Sequence, residues 1–250
     1  YPAYELKNLL CYLKQHYSPA SVAQLYADIG IGEAELMLSE FVYVWQVDYA
    51  MSYIRRLSQD PEVAAKAATA YRVIDLAVLL PYLAEFNTLG QCLQFAVSHP
   101  ELVGSFSDTL LRNYDGKLHV RWLNTNKVDT ERYSSQFQHS LCSLLAFAKE
   151  LTGNNIRLCQ VNFAEAERGA EFLINQSGAD VHFNCEFFEW SIEHRYLNLP
   201  IIFKFEQPVN RLCIDNSGSY VSDVLSVLRL HAPELPSMEA MAETQNMSAR

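Results

Sequence analysis

No stretch of this chain approaches the roughly 20 consecutive apolar residues that a membrane-spanning helix needs, although 50% of its 250 residues are hydrophobic. A membrane-embedded protein is therefore not expected, and the apolar residues are left to fill one large domain or two small ones. Positive charge is short as well, with 19 Lys and Arg against 29 Asp and Glu and a formal net charge of -10. Neutralising phosphates needs clustered Lys and Arg, so these residues by themselves are not expected to bind nucleic acid. The six cysteines (Cys11, Cys92, Cys142, Cys159, Cys185 and Cys213) lack C-x-x-C spacing and a nearby His partner. They are read as reduced core thiols of a cytoplasmic protein. No signal peptide opens the sequence, which starts at Tyr1 rather than Met, and both ends are read as trimmed.

Catalytic motifs are also missing. There is no H-E-x-x-H, G-x-S-x-G, P-loop or dinucleotide-binding glycine pattern, so no catalytic residue and no cofactor is assigned. Glu186, Glu189 and Glu193 have no His or Cys at ligand spacing and read as a solvated edge rather than a metal site.

What is present starts with helices. Leu6, Leu9, Leu10 and Leu13 recur at helical spacing over Tyr4 to His16, and Ser18-Pro19 is a cap followed by proline for a second helix ending at Gly30. Glu35 to Leu57 holds two more helical patterns, and Asp60-Pro61 is expected to start another through an alanine-rich stretch toward Tyr71. Asn87 is expected to cap a helix burying Leu89, Cys92, Leu93, Ala96 and Val97, with Pro100 as its stop.

Strands come next. Leu118, Val120 and Trp122 alternate with Lys117, His119 and Arg121 directly after Asp115-Gly116, which is a hairpin signal. Thr130 to Leu151 reads as a long amphipathic helix with Phe137, Leu141, Leu144, Leu145, Ala148 and Leu151 on one stripe, ended by Gly153. That stripe packs on the sheet or, alternatively, against its twin in a dimer. Strands are expected at Ile156 to Phe163 and Val181 to Phe187, joined by a short helix near Arg168 to Gln176. Ile201 to Phe205 and Arg211 to Ile214 supply further strand material, and Val221 to Leu228 a last helix. The fold expected is α+β: a helical N-terminal part packed with a mainly antiparallel sheet.

Trp122, His182, Trp190 and His194 are the candidates for a pocket in which aromatics hold an apolar body and imidazoles orient polar groups. The alternative is buried tryptophans with exposed histidines. His182 alternates away from Phe183 and Cys185, so it lines a pocket only if both faces of its sheet are covered.

The final stretch, Pro236 to Arg250, reads as the first half of a helix-turn-helix. Ser237 caps a helix with Met238, Met241 and Ala242 on one face. Ala242 and Asn246 then supply the small residue and the turn residue, Met247 plugs the turn, and Ser248 caps a second helix of which Arg250 is part. This string resembles the opening of the AraC-type DNA-binding domain. The order from about Asp28 to Ile214 is similar to the arabinose-binding-type N-terminal domain of that family. Four islands carry the likeness: Asp60-Pro61, Asn87-Thr88-Leu89-Gly90-Gln91-Cys92-Leu93, Leu151-Thr152-Gly153 and Asn210-Arg211-Leu212-Cys213-Ile214. The chain departs from the family at Leu79-Leu80-Pro81-Tyr82 and at Leu197-Asn198-Leu199-Pro200, which bear on pocket shape.

The resemblance implies a bacterial transcriptional regulator rather than an enzyme. Residues 1–230 would form an effector-binding and dimerisation domain, 231–236 a linker, and 237–250 the start of a truncated helix-turn-helix in which Ser248 and Arg250 serve DNA binding. The partners it implies are promoter DNA, an unidentified small-molecule effector, a second copy of the chain and RNA polymerase. The alternatives are a metabolite-binding or catalytic domain without a DNA-binding role, and an interaction module that dimerises without a ligand.

Overall fold

The structure, a computed structural model, describes residues 1–205 apart from residues 77, 124–129 and 168. The linker, the helix-turn-helix with Ser248 and Arg250, the Asn210 to Ile214 island, the strand material from Arg211 and the helix from Val221 to Leu228 all lie outside the described residues.

The helical spacing of the N-terminal region yields α1 (Ala3–His16), α2 (Pro19–Ile29), α3 (Glu33–Leu38), α4 (Val44–Ser58) and α5 (Val63–Ala67), the last running into a 3-10 turn at Ala68–Ala70. Ser18 caps α2 by accepting from the Ser21 amide at 3.2 Å, Pro19 takes the first helical position, and Gly30 ends the helix at φ 65°. Leu6, Leu9 and Leu13 of α1 join Leu25 of α2 and Val47 and Ile54 of α4 in one apolar cluster. Asp60 and Pro61 precede α5 rather than start it: Asp60 Oδ1 accepts from the Glu62 amide at 2.9 Å and the helix begins at Val63.

A 3-10 turn at Val73–Asp75 and α6 (Leu80–Leu83) lead to α7 (Leu89–Ser98) and α8 (Pro100–Val103). The cap of α7 is Thr88, not Asn87. Thr88 Oγ1 accepts from the Gln91 amide at 3.4 Å while Gln91 Oε1 takes the amides of Thr88 at 3.2 Å and Asn87 at 2.7 Å. The Gln three residues on completes this reciprocal box, and it selects Thr88 over its neighbour. Pro100 opens α8 as well as ending α7.

The hairpin forms between β1 (Thr109–Tyr114) and β2 (Lys117–Trp122), with Asp115 at φ 51° and Gly116 at φ 69°. Positive φ at both central residues is what a turn matching the strand twist requires. After α9 (Thr130–Thr152) come β3 (Gln160–Asn162), α10 (Glu171–Ser177), β4 (Asp180–His182), β5 (Glu189–Glu193) and α11 (His194–Leu197). The sheet has the order β1-β2-β5-β3-β4; every pair is antiparallel except β3 and β4, which α10 connects as a crossover.

Two expectations about strands need correcting. The alternation from Val181 to Phe187 gives only the short β4, because the chain turns at Asn184 with φ 57°. The longer central strand is β5, whose buried run Glu189, Trp190, Ser191 and Ile192 does not alternate in burial. Ile201 to Phe205 is not a strand; it crosses the ends of two helices. Leu199 O accepts from the Leu89 amide at 3.0 Å, and the Ile202 amide donates to Leu151 O at 2.8 Å. This strap ties the start of α7 to the end of α9, so three segments singled out in the sequence, at residues 87–93, 151–153 and 197–200, meet in space.

The stripe of α9 covers the sheet. Phe137 meets Trp122, Phe163 and Phe188 at ring separations of 5.1, 5.4 and 5.3 Å, while Leu141, Leu145, Ala148 and Leu151 are buried beside it. Alanines of α5 pack on another side of the same helix, where their small size permits close approach. The stripe is thus consumed within the chain, which removes it as a dimer seam. Among the described residues no helix is long and apolar enough to cross a membrane.

Gly90 shows how tight this packing is. A Cβ there would stand 2.9 Å from the backbone oxygen of Leu197. Gly90→Ala is expected to destabilise the domain by about 1–3 kcal/mol in urea denaturation, the cost of overpacking, although alanine is the better helix former. A stabilised variant would show that α11 yields freely.

Candidate functional site

An apolar cavity of about 190 Å³ lies between the inner face of the sheet and helices α7 and α9. Strand periodicity builds one wall. Val120 of β2 stands opposite Trp190 of β5, and Leu118 opposite Ile192, so Val120, Trp122, Trp190 and Ile192 point the same way and line the cavity. Leu89, Cys92 and Leu93 of α7 and Leu141, Leu144 and Ala148 of α9 supply further walls. Burial pushes the Cys92 thiol up to about 11. At neutral pH it is a small apolar group rather than a nucleophile.

Of the residues nominated from the sequence, the structure brings Trp122 and Trp190 together on this wall. It does not bring His182 or His194 to the cavity. His182 is exposed on β4, with Nε2 3.0 Å from Asp180 Oδ2, and Val181 takes the inward position. His194 is half-buried at the start of α11, with Nε2 3.0 Å from Asn113 Oδ1.

The solvated-edge reading holds for Glu186, which is exposed, and is corrected at Glu189, on the face of the sheet opposite the cavity. Glu189 is buried, and Arg121 Nε donates to its Oε2 at 2.7 Å while the guanidinium lies 4.1 Å from the Phe187 ring centroid. Glu193 is nearer the surface and pairs with Arg195 at 2.8 Å. His119, on the same strand as Trp122, stacks on Tyr114 with ring centroids 3.7 Å apart. It is buried, but on the face away from the cavity. Among the described residues no cluster of three or more His, Cys, Asp or Glu is placed to hold a metal. Cys11 is exposed, unlike the core thiols Cys92 and Cys142.

Sequence reasoning passed over a buried polar group that borders the cavity. Glu5 of α1 is only 4% exposed and lines the cavity. The Tyr71 hydroxyl donates to Glu5 Oε2, and His139 Nε2 of α9 lies 3.2 Å from the Tyr71 oxygen. His139 Nδ1 is 3.9 Å from Glu5 Oε2, beyond hydrogen-bond range. Burial raises the Glu5 carboxyl to about 8 against the opposing pull of Tyr71, and lowers His139 to about 3. Both are therefore neutral near pH 7. The signal was available: Glu5 precedes Leu9 by four residues, so it is an acid on the apolar face of α1.

The arabinose-binding domain of AraC transcription regulators, N-terminal, matches residues 20–201, well over half of the chain. The chain belongs to this AraC N-terminal domain family. The fold of this arabinose-binding-type domain is similar to that in the crystal structure of the transcriptional regulator CdpR from Pseudomonas aeruginosa, with a TM-score of 0.57 and 15% sequence identity. The match covers 99% of this chain and 76% of that one. At that identity the likeness speaks for the fold alone. No curated protein matches the chain by sequence.

Proposed function

We propose that this domain is the effector-sensing and dimerisation part of a transcriptional regulator, and that it controls promoter binding by a helix-turn-helix of which residues 237–250 are the beginning. The observation that carries the sensing role is the apolar cavity lined by residues of β2, β5, α7 and α9. Concave sites with a mainly apolar lining and few polar groups are where small molecules bind. The volume exceeds the ~150 Å³ of an engineered cavity that holds benzene, so an effector body of about that size fits.

An effector acts only through its different affinity for the DNA-competent and incompetent states, and a tenfold shift needs about 1.4 kcal/mol of that difference. Helices α7 and α9 are the elements to carry it, because both line the cavity and the 199–203 strap joins their ends. Dimerisation, in this reading, uses a surface other than the apolar stripe of α9.

The test is promoter-fragment binding at several salt concentrations by the longer protein with a complete helix-turn-helix and by the 250-residue chain. Binding by the longer protein alone, weakening as salt rises, is expected. Equal binding by the 250-residue chain, or none by either, overturns the reading.

A further inference from the structure

The cavity has one carboxyl in its lining. Among the described residues that line it there is no Lys, Arg or His, and Glu5 is the one carboxyl. Of its two oxygens, Oε2 accepts from Tyr71, whereas Oε1 makes no hydrogen bond. Gly104, at φ 68° and also on the cavity wall, keeps that oxygen uncovered: a Cβ at this position would stand 3.1 Å from Oε1 and 2.9 Å from Glu5 Cγ. That oxygen is free to take a donor from whatever occupies the cavity.

We propose that Glu5 anchors the head group of the effector, and that the ligand class is a primary amine on an apolar body rather than a carboxylate. This rests on the sensing role proposed above. The ammonium presents three N–H donors. Glu5 Oε1 accepts one; the Ser143 hydroxyl, which gives its own proton to Ser140 O at 3.0 Å, also lines the cavity and retains lone pairs.

The titratable groups facing Glu5 are Tyr1 and Tyr4 from its own end of the chain, Tyr71 from the segment after α5, and His139 from α9. Burial holds all three phenols and the imidazole neutral, so none supplies the positive charge that a bound carboxylate would need. An amine supplies its own. Glu5 enters the complex as a carboxylate and the amine as an ammonium, so one proton leaves the Glu5 carboxyl for solvent on binding. Affinity then rises with pH toward 8.

The test is calorimetric titration of the 250-residue chain with phenethylamine, phenylacetate and ethylbenzene, each in two buffers of different ionisation enthalpy. Phenethylamine is expected to bind at least tenfold tighter than phenylacetate and to release about one proton near pH 7. Glu5→Gln is expected to reduce that amine-to-carboxylate ratio at least tenfold. If ethylbenzene binds but the wild-type ratio is near one or favours phenylacetate, the Glu5 anchor is wrong and the sensing cavity survives. If none of the three binds, the cavity reading falls and the anchor with it. The wild-type ratio and proton release decide the matter even if Glu5→Gln does not fold.

Discussion

Replacing Phe137 by alanine is expected to destabilise the domain by about 3–5 kcal/mol, the range for removing a fully buried aromatic ring. Phe137 has no exposed surface, and its ring meets three others, Trp122, Phe163 and Phe188, from β2, the end of β3 and the segment before β5. Edge-on and tilted contacts of this kind add about 0.5–1.5 kcal/mol each beyond area burial. Collapse cannot recover much of the loss, because Phe137 already borders the cavity and the vacated volume would merge with it. Urea denaturation monitored by circular dichroism measures the change. A loss below about 1 kcal/mol would mean that α9 is not the element joining the sheet to the helices.

The N-terminal helices that sequence disclosed are those whose burial is one-sided. In α1 and α2 the apolar residues recur at helical spacing because one face meets the neighbouring helices. Strand β2, in contrast, was disclosed by residue type, its apolar Leu118, Val120 and Trp122 on the cavity face of the sheet and its polar Lys117, His119 and Arg121 on the other, although His119 is buried as well. The central strand β5 is buried on both faces: Glu189 and Ser191 lie inside on one face and Trp190 and Ile192 on the other. The two-step period is there in the sequence, with Trp190 and Ile192 between Glu189, Ser191 and Glu193, but the acids read as a solvated edge and the strand is passed over. The reverse error came from Phe183, Cys185 and Phe187, where an apolar alternation continues past a turn at Asn184 and so imitates a strand. Helix α9 was read as amphipathic, yet Ser134, Gln136, Gln138 and His139 are buried too. Polar residues on a helix that is wrapped by both α5 and the sheet do not mark a solvent face.

The same reasoning explains what was legible of the candidate site. Trp122 and Trp190 could be nominated because large aromatics dominate apolar interiors. Their shared wall depends on the pairing of Val120 with Trp190, a register between strands separated by α9, β3, α10 and β4. Glu5, Tyr71 and His139 come from three distant parts of the chain and meet only when α1 packs beside α5 and α9. The histidines chosen from the sequence were chosen for proximity to Trp190 along the chain, which in a sheet says little about proximity in space.

That same polar cluster sets an expected pH profile, with stability level between about pH 4.5 and 6.5 and falling on both sides. Glu5 has its carboxyl raised from 4.5 to about 8, so the folded domain keeps a proton that the unfolded chain gives up. Its contribution is fully present below pH 4.5 and is lost as pH rises through about 8. His139 is shifted the other way, from 6.5 down to about 3. Its contribution is present above pH 6.5 and is lost as pH falls through about 3. Each acts with a slope of about 1.4 kcal/mol per pH unit. Between 4.5 and 6.5 the two slopes oppose and cancel; above that window only Glu5 remains, and below it only His139. Removing either group exposes the other. His139→Gln should turn the plateau into a continuous fall from pH 4.5 toward 8, and Glu5→Gln into a continuous rise from about 3 to 6.5. Urea midpoints for the wild type and both variants across pH 3.5–8.5 check this, with slopes converted through the denaturant dependence. If the wild type were most stable near pH 8, or if the two substitutions left the same profile, Glu5 and His139 would have to be carried as an ion pair instead of two neutral groups, and the amine head group proposed for the cavity would lose the acid that is meant to receive it.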